Sequence, residues 1–284
     1  MSGAGCVGCG GIVSGRNREE QVKRWSRVLS RPPTYPRIYR LVDGLPLCSS
    51  CLADWRVIGE VICCQCGRDL VYHSQKGEKN DQSPIENGFN RQQERRMCKD
   101  CLAAEEKGQS LLRNRGLLHY DECGKAWLSR FKYRGDERMA AFFSALLAIG
   151  YYRSYLSARF SCVTEVPLHE SRLTERGFNQ MELVARGLSM RTGIPYIPLL
   201  IRSKQTAKLS QQRGKREREE SLRGAFACMN QGRQIHGIDS RKQLREVLIV
   251  DDIYTTGSTL RACALAIQEE LGRECRVSAL TCFR

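Results

Sequence analysis

Two groups of residues have types and spacings suited to chemistry. The first is eight cysteines in four pairs, each with two residues between partners: Cys6/Cys9, Cys48/Cys51, Cys63/Cys66 and Cys98/Cys101. A C-x-x-C turn delivers two thiolates from one knuckle with backbone amides aimed at the sulfurs, and zinc takes four such ligands at tetrahedral corners. One pair alone is weak evidence; four pairs make two closed sites, structural rather than catalytic. Two pairings satisfy the count. Sequential pairing joins Cys6, Cys9, Cys48 and Cys51, then Cys63, Cys66, Cys98 and Cys101; an interleaved one joins the first pair to the third. The absence of a βαβ context around these pairs argues against redox dithiols. The other seven cysteines are scattered, and Cys64 reads as a spare beside a ligand.

The second group is the run Val247-Leu248-Ile249-Val250-Asp251-Asp252-Ile253-Tyr254-Thr255-Thr256-Gly257-Ser258-Thr259. An apolar strand ends in two carboxylates, and a Thr/Gly loop then opens a helix. Loop amides, hydroxyls and the helix N-terminus form a cradle for a phosphate. Asp251 and Asp252 stand where ligands bind in open α/β sheets and can accept hydrogen bonds from ribose hydroxyls. Gly257 lets the backbone approach the ligand closely. The run is neither a Walker A loop nor G-x-G-x-x-G. A buried strand with an ordinary capped helix accounts for the Thr and Ser, but not for adjacent carboxylates.

These residues need elements to position them. Residues 1–110 read as a small cysteine-rich, loop-rich domain of double zinc-ribbon type, with a polar insertion at 74–96 between ligand pairs. Residues 111–284 read as an α/β domain. Helices are expected at 120–133, 138–152, 178–192 and 258–271, with Phe178, Met181, Leu183, Val184 and Leu188 on the apolar side of the third. Strands are expected at 162–168, 194–201, 247–250 and 276–283. Their alternation with helices predicts a parallel sheet.

Composition narrows the class. The 284 residues hold 46 Lys and Arg against 31 Asp and Glu, a net charge of +15. Residues 1–110 carry 17 basic and 13 acidic groups and residues 111–284 carry 29 and 18, so the α/β half holds most of the excess. Such a balance suits a polyanion. Residues 202–223 hold eight basic groups against three glutamates, and Arg213, Lys215 and Arg216 are the nucleic-acid candidates there. The longest apolar stretch, 140–152, falls short of the roughly 20 residues of a membrane helix, and no signal-peptide pattern opens the chain. A cytoplasmic protein without membrane insertion is expected.

The 247–259 run resembles the 5-phosphoribosyl-1-diphosphate (PRPP) motif of type I phosphoribosyltransferases. The segments Phe131-Lys132-Tyr133-Arg134-Gly135, Val166-Pro167-Leu168, Arg176-Gly177-Phe178-Asn179-Gln180 and Arg223-Gly224-Ala225-Phe226 follow in order. With the cysteine pairs, they resemble the ComF family, which includes competence proteins of the ComFC type and GntX-type proteins. The gaps Cys9–Cys48 and Cys66–Cys98 are long for that family, and Ser221 stands where Asn is usual. The resemblance implies a phosphoribosyltransferase-like fold in which Asp251 and Asp252 hold the ribose hydroxyls. Thr255, Thr256, Gly257, Ser258 and Thr259 would hold the 5′-phosphate, and Arg172 and Arg176 are candidates for the diphosphate. It implies two Zn²⁺ ions, and Mg²⁺ brought in with PRPP. The implied function is DNA uptake in natural competence, handling incoming single-stranded DNA alongside other uptake proteins. The alternative is an active phosphoribosyltransferase with an unidentified acceptor. Lys132 and Arg134 are either surface charges or cleft lining, and the four dispersed histidines show no metal spacing.

Overall fold

The computed structural model describes residues 5–32, 36–71, 96–108, 112–133, 137–203, 221–222, 224–229 and 244–284. Nearly all of the expected polar insertion, and Arg213, Lys215 and Arg216, lie outside them. Four strands form one parallel sheet: β1 (Arg113–Leu118), β2 (Cys162–Glu165), β5 (Glu246–Ile253) and β6 (Arg276–Phe283), in the order β1-β6-β5-β2. Asp251 lies opposite Thr281 in the β5–β6 register, and Glu165 lies opposite Val250 in the β2–β5 register. A separate antiparallel pair, β3 (Leu200–Arg202) and β4 (Phe226–Cys228), packs against the last helix.

The expected parallel sheet is present, with adjustments that have local causes. The strand expected at 162–168 stops at Glu165, before Pro167, whose missing N–H cannot continue a ladder. The stretch at 194–201 joins the main sheet only by a bridge from Tyr196 to Val163, and its regular part pairs outside that sheet. β1 was not anticipated, since Arg-Asn-Arg-Gly-Leu-Leu lacks a β-branched or alternating pattern.

The long apolar helix lies at the centre. Numbered in chain order, the helices are α1 (Gly15–Val28), α2 (Pro36–Asp43), α3 (Ser49–Ala53), α4 (Lys99–Glu106), α5 (Glu122–Tyr133), α6 (Glu137–Ser154), α7 (Glu170–Arg176), α8 (Gln180–Thr192) and α9 (Ser258–Leu271). α6 is buried on nearly all sides, from Met139 to Tyr152, because the sheet covers one flank and α8 and α2 cover others. Asn179 caps α8 through its side chain, so that helix starts at Gln180 rather than at 178. Met181, Val184 and Leu188 face the core as expected, but Leu183 is exposed. α9 and β6 have the expected bounds.

The N-terminal third is more helical than its breakers suggest. Ser14 and Asn17 form a capping box for α1, and Pro36 starts α2 at the first helical position, where proline is tolerated. It also shares its core with the sheet. Trp55 meets Trp127 edge-on at 4.8 Å, and Trp127 stacks on Phe142 at 4.9 Å. Arg130 donates to the carbonyls of Gly8 and Val7, and Arg153 to those of Ile58 and Gly59. Truncating Trp55 would therefore loosen both halves together. Trp55→Ala should cost about 3–5 kcal/mol and shift one cooperative urea transition; two separated transitions would show that the halves melt independently.

Candidate functional site

The described cysteines converge in sequential pairs. The four sulfurs of Cys6, Cys9, Cys48 and Cys51 lie within 4.8 Å of one another, as do those of Cys63, Cys66, Cys98 and Cys101. A tetrahedron with Zn–S bonds of about 2.3 Å has S–S edges of about 3.8 Å. Cys9–Cys48 at 3.7 Å and Cys66–Cys98 at 3.6 Å match that edge, so both clusters fit an ion such as zinc. The interleaved pairing is thereby excluded.

Both clusters are built alike. The first pair comes from a knuckle closed by an antiparallel bridge, Gly5 to Ile12 or Ile62 to Asp69. The second comes from a helix start: Cys48 is the N-cap of α3 and Cys98 that of α4. Helix N-termini present unpaired amides and a positive dipole end, both favourable to thiolate. Cys48 N–H donates to Cys6 Sγ, and Cys98 N–H to Cys63 Sγ. Burial opposes ionisation of Cys6, but the amides of Cys48, Cys9 and Gly8 bring it down to about 7. Cys66 is held well below the ordinary thiol range, first by hydrogen bonds from Cys101, Cys63 and Cys98, and also by the Arg284 charge.

The paired carboxylates lie inside β5, which runs on to Ile253. Strand alternation sends them to opposite faces. Asp252 is buried, and its Oδ2 takes an ion pair from Lys132 Nζ at 2.6 Å. Asp251 accepts from the Asp252 backbone N–H at 2.8 Å. Burial, then the neighbouring Asp252, push Asp251 up to about 7, while Lys132 and Arg202 pull it back.

Beyond them, the loop reaches α9 through Gly257, which is the N-cap at φ +74°. Side-chain capping of α9 is absent, and its first turn holds no acid, so its leading amides face an anion-compatible field. The capped helix of the ordinary reading is thus not what forms. Thr255 is exposed, Thr256 and Thr259 are half-buried, and Thr256 Oγ1 lies 2.7 Å from Ser258 Oγ. Room at Gly257 serves a neighbour: an added Cβ would meet Tyr254 Oη at 2.1 Å.

Other expected groups divide. Arg172, on α7, pairs with Glu175 at 2.5 Å. Arg176 ends α7, which is all that is described of it. Arg202 belongs not to a solvated run but to β3, half-buried with its guanidinium over Phe226, within electrostatic range of Asp251 and Arg172. Lys132 is partly buried and paired with Asp252 rather than being a free surface charge. Only topology could reveal it, since the end of α5 meets β5 from 120 residues away in sequence. Of the histidines, His119 pairs with Asp69, His169 caps α7, and His73 and His236 lie outside the described residues.

Two measurements test this geometry. Elemental analysis should find two metal ions per chain, and Cys98→Ser should retain one. The proton that folded Asp251 holds is released on unfolding between pH 3.8 and about 7. Stability should therefore fall as pH rises through that window, and Asp251→Asn should flatten the slope of urea midpoint against pH.

No family model matches the chain. Among curated proteins, it is 27% identical to competence protein ComFC of Bacillus subtilis (strain 168), over 90% of this chain and 91% of that protein. It is 26% identical to competence protein ComFC of Streptococcus pneumoniae, over 84% of this chain and 88% of the relative. Competence protein F of Haemophilus influenzae is 24% identical, over 75% and 80% respectively. With alignments spanning most of each chain, and a parallel α/β sheet behind two four-cysteine clusters, the protein is a homologue of the ComFC/competence protein F family.

Proposed function

We propose that this protein handles incoming single-stranded DNA during natural competence and carries a pocket for PRPP or a related sugar phosphate. The observation carrying the pocket is the uncapped N-terminus of α9, reached directly from two carboxylates at the C-terminal edge of a parallel sheet. A 5′-phosphate would take the amides and hydroxyls of residues 255–259. The ribose hydroxyls would donate to Asp251 and Asp252, the second of which is also paired with Lys132. Support for DNA comes from the net charge of +15 and from relatives named as competence proteins. Arg213, Lys215 and Arg216 are the proposed strand contacts, and further uptake proteins the proposed partners.

One observation favours the transferase reading. Arg202 lies within electrostatic range of both Asp251 and Arg172, a cation beside the carboxylate where a departing diphosphate would need one. The reaction would displace diphosphate at the anomeric carbon through an oxocarbenium-like state. The chain would supply positioning and charge stabilisation, and Mg²⁺ would arrive with the diphosphate.

Calorimetry with PRPP and with a single-stranded oligonucleotide on one sample tests the proposal. Asp252→Asn should weaken PRPP binding about tenfold or more, since a charged hydrogen-bond acceptor contributes roughly 1.5–3 kcal/mol. An unchanged affinity would mean that the motif is a relic of the fold. Oligonucleotide affinity should fall with salt, by about 0.7 in the log–log slope per phosphate neutralised. Charge reversal at Arg213, Lys215 and Arg216 should lower both affinity and slope. Absence of salt-dependent binding, together with diphosphate release from PRPP on adding a base, would put the transferase first.

A further inference from the structure

Arg284 touches both the second four-cysteine cluster and the loop after β5. Its backbone is pinned on either side: its N–H donates to Leu118 O, and its carbonyl accepts from Tyr120 N–H. Its stem crosses β1 at Gly116, where an added Cβ would lie 2.6 Å from the Arg284 Cβ, so any side chain there would expel it. From this base the guanidinium reaches two ways. On the metal side, Nε donates to Cys66 O at 3.0 Å and Nη2 to Cys66 Sγ at 3.1 Å. On the loop side, Nη1 donates to Thr255 O at 3.4 Å, and the guanidinium lies 4.8 Å from the centroid of the Tyr254 ring. That ring, 5% exposed, covers Gly257, the N-cap of α9. A small cleft of about 140 Å³ is lined from both sites, by Cys66 and Cys101 together with Thr255, Thr256 and Arg261.

The contacts form one chain: Cys66, Arg284, Tyr254, Gly257. Lysine could not replace the arginine, because one ammonium lacks the planar fork that serves three acceptors in different directions. The loop also has reason to need an outside anchor. α9 lacks a side-chain cap at Gly257; its own ties to the loop are Arg261 Nη1 to Thr256 O and the Thr256–Ser258 hydroxyl contact, neither of which reaches Thr255 O or Tyr254.

We propose that Arg284 is a positioning residue that holds the 254–259 loop against the Cys63/Cys66/Cys98/Cys101 cluster, so that the integrity of this cluster sets the order of the anion-binding loop. Its relevance to ligand binding rests on the sugar-phosphate reading of that loop; the mechanical link does not.

Hydrogen exchange of the peptide spanning 253–262 in the full, metal-loaded chain tests it. Arg284→Met keeps the stem and removes the fork. It should speed exchange about tenfold while metal content stays at two per chain, and one of the two ions should pass faster to a chromogenic chelator. Arg284→Lys should resemble Arg284→Met. Cys98→Ser should speed loop exchange comparably, whereas Cys9→Ser, in the other cluster, should not. Tyr254→Leu keeps the proposal testable if Arg284→Met fails to fold: it should speed loop exchange without altering metal release. Wild-type exchange in Arg284→Met, or equal effects of Cys9→Ser and Cys98→Ser, would overturn the proposal. PRPP titration separates the two readings. If wild type binds no PRPP but loop exchange responds as described, the sugar-phosphate reading fails and the anchor stands. If wild type and Arg284→Met bind PRPP equally and exchange equally, the anchor fails and the pocket stands.

Discussion

An open parallel sheet leaves a row of unpaired backbone groups along each edge, and the rest of this molecule depends on how the β1 row is covered. The cysteine-rich segment takes it: Ile58 N–H donates to Leu117 O, His119 N–H to Arg56 O, and Asn114 N–H to Gln65 O. Residues 56–58 and Gln65 thus cover part of that edge. They can do so because the knuckle at Cys63 and Cys66 is tied to α4 by the second cluster. From β1 the order passes to β6, then to β5 and its carboxylates. A four-cysteine cluster of the kind credited with stabilising a small domain here also helps cover the edge of the sheet that carries the carboxylates.

The site itself places opposite demands on charge. Two carboxylates adjacent in one strand repel each other, and burial worsens the conflict. Alternation separates them across the sheet, Lys132 answers Asp252, and Arg202 lies within range of Asp251. A few residues further on, the uncapped start of α9 supplies positive potential with no side chain attached. The result is a short path from acid to uncapped amides, the arrangement on which the proposed sugar-phosphate pocket rests.

What the sequence revealed followed from strong local signals. Helix α9 and strand β6 were legible because an N-terminal Ser/Thr run and a mostly apolar run ending the chain's pattern of alternating elements each leave few alternatives. The four cysteine pairs were legible because their chemistry repeats. The order of pairing was not, since residues 10–47 fold into helices whose packing, rather than their length, returns Cys48 to Cys6. Strand β1 was hidden because its pattern answers to Asn114 buried against the Cys66 carbonyl, a contact made only after folding. Lys132, Arg202 and Arg284 were illegible for a related reason: each is an ordinary surface-type residue until topology sets it beside β5 or Cys66.

The two clusters share a ligand set but not an environment. Cys9 is exposed and Cys48 and Cys51 are half-buried, whereas all four thiols of the second cluster are buried. Chelators and oxidants reach sulfur only where solvent does, so ions held in the two clusters would exchange at different rates. The more exposed cluster, which would exchange faster, is the one whose knuckle is gripped by Arg130 of α5, the helix that also carries Lys132. Metal scarcity would then be felt first at the lysine facing Asp252, while the sheet edge and the loop remain braced.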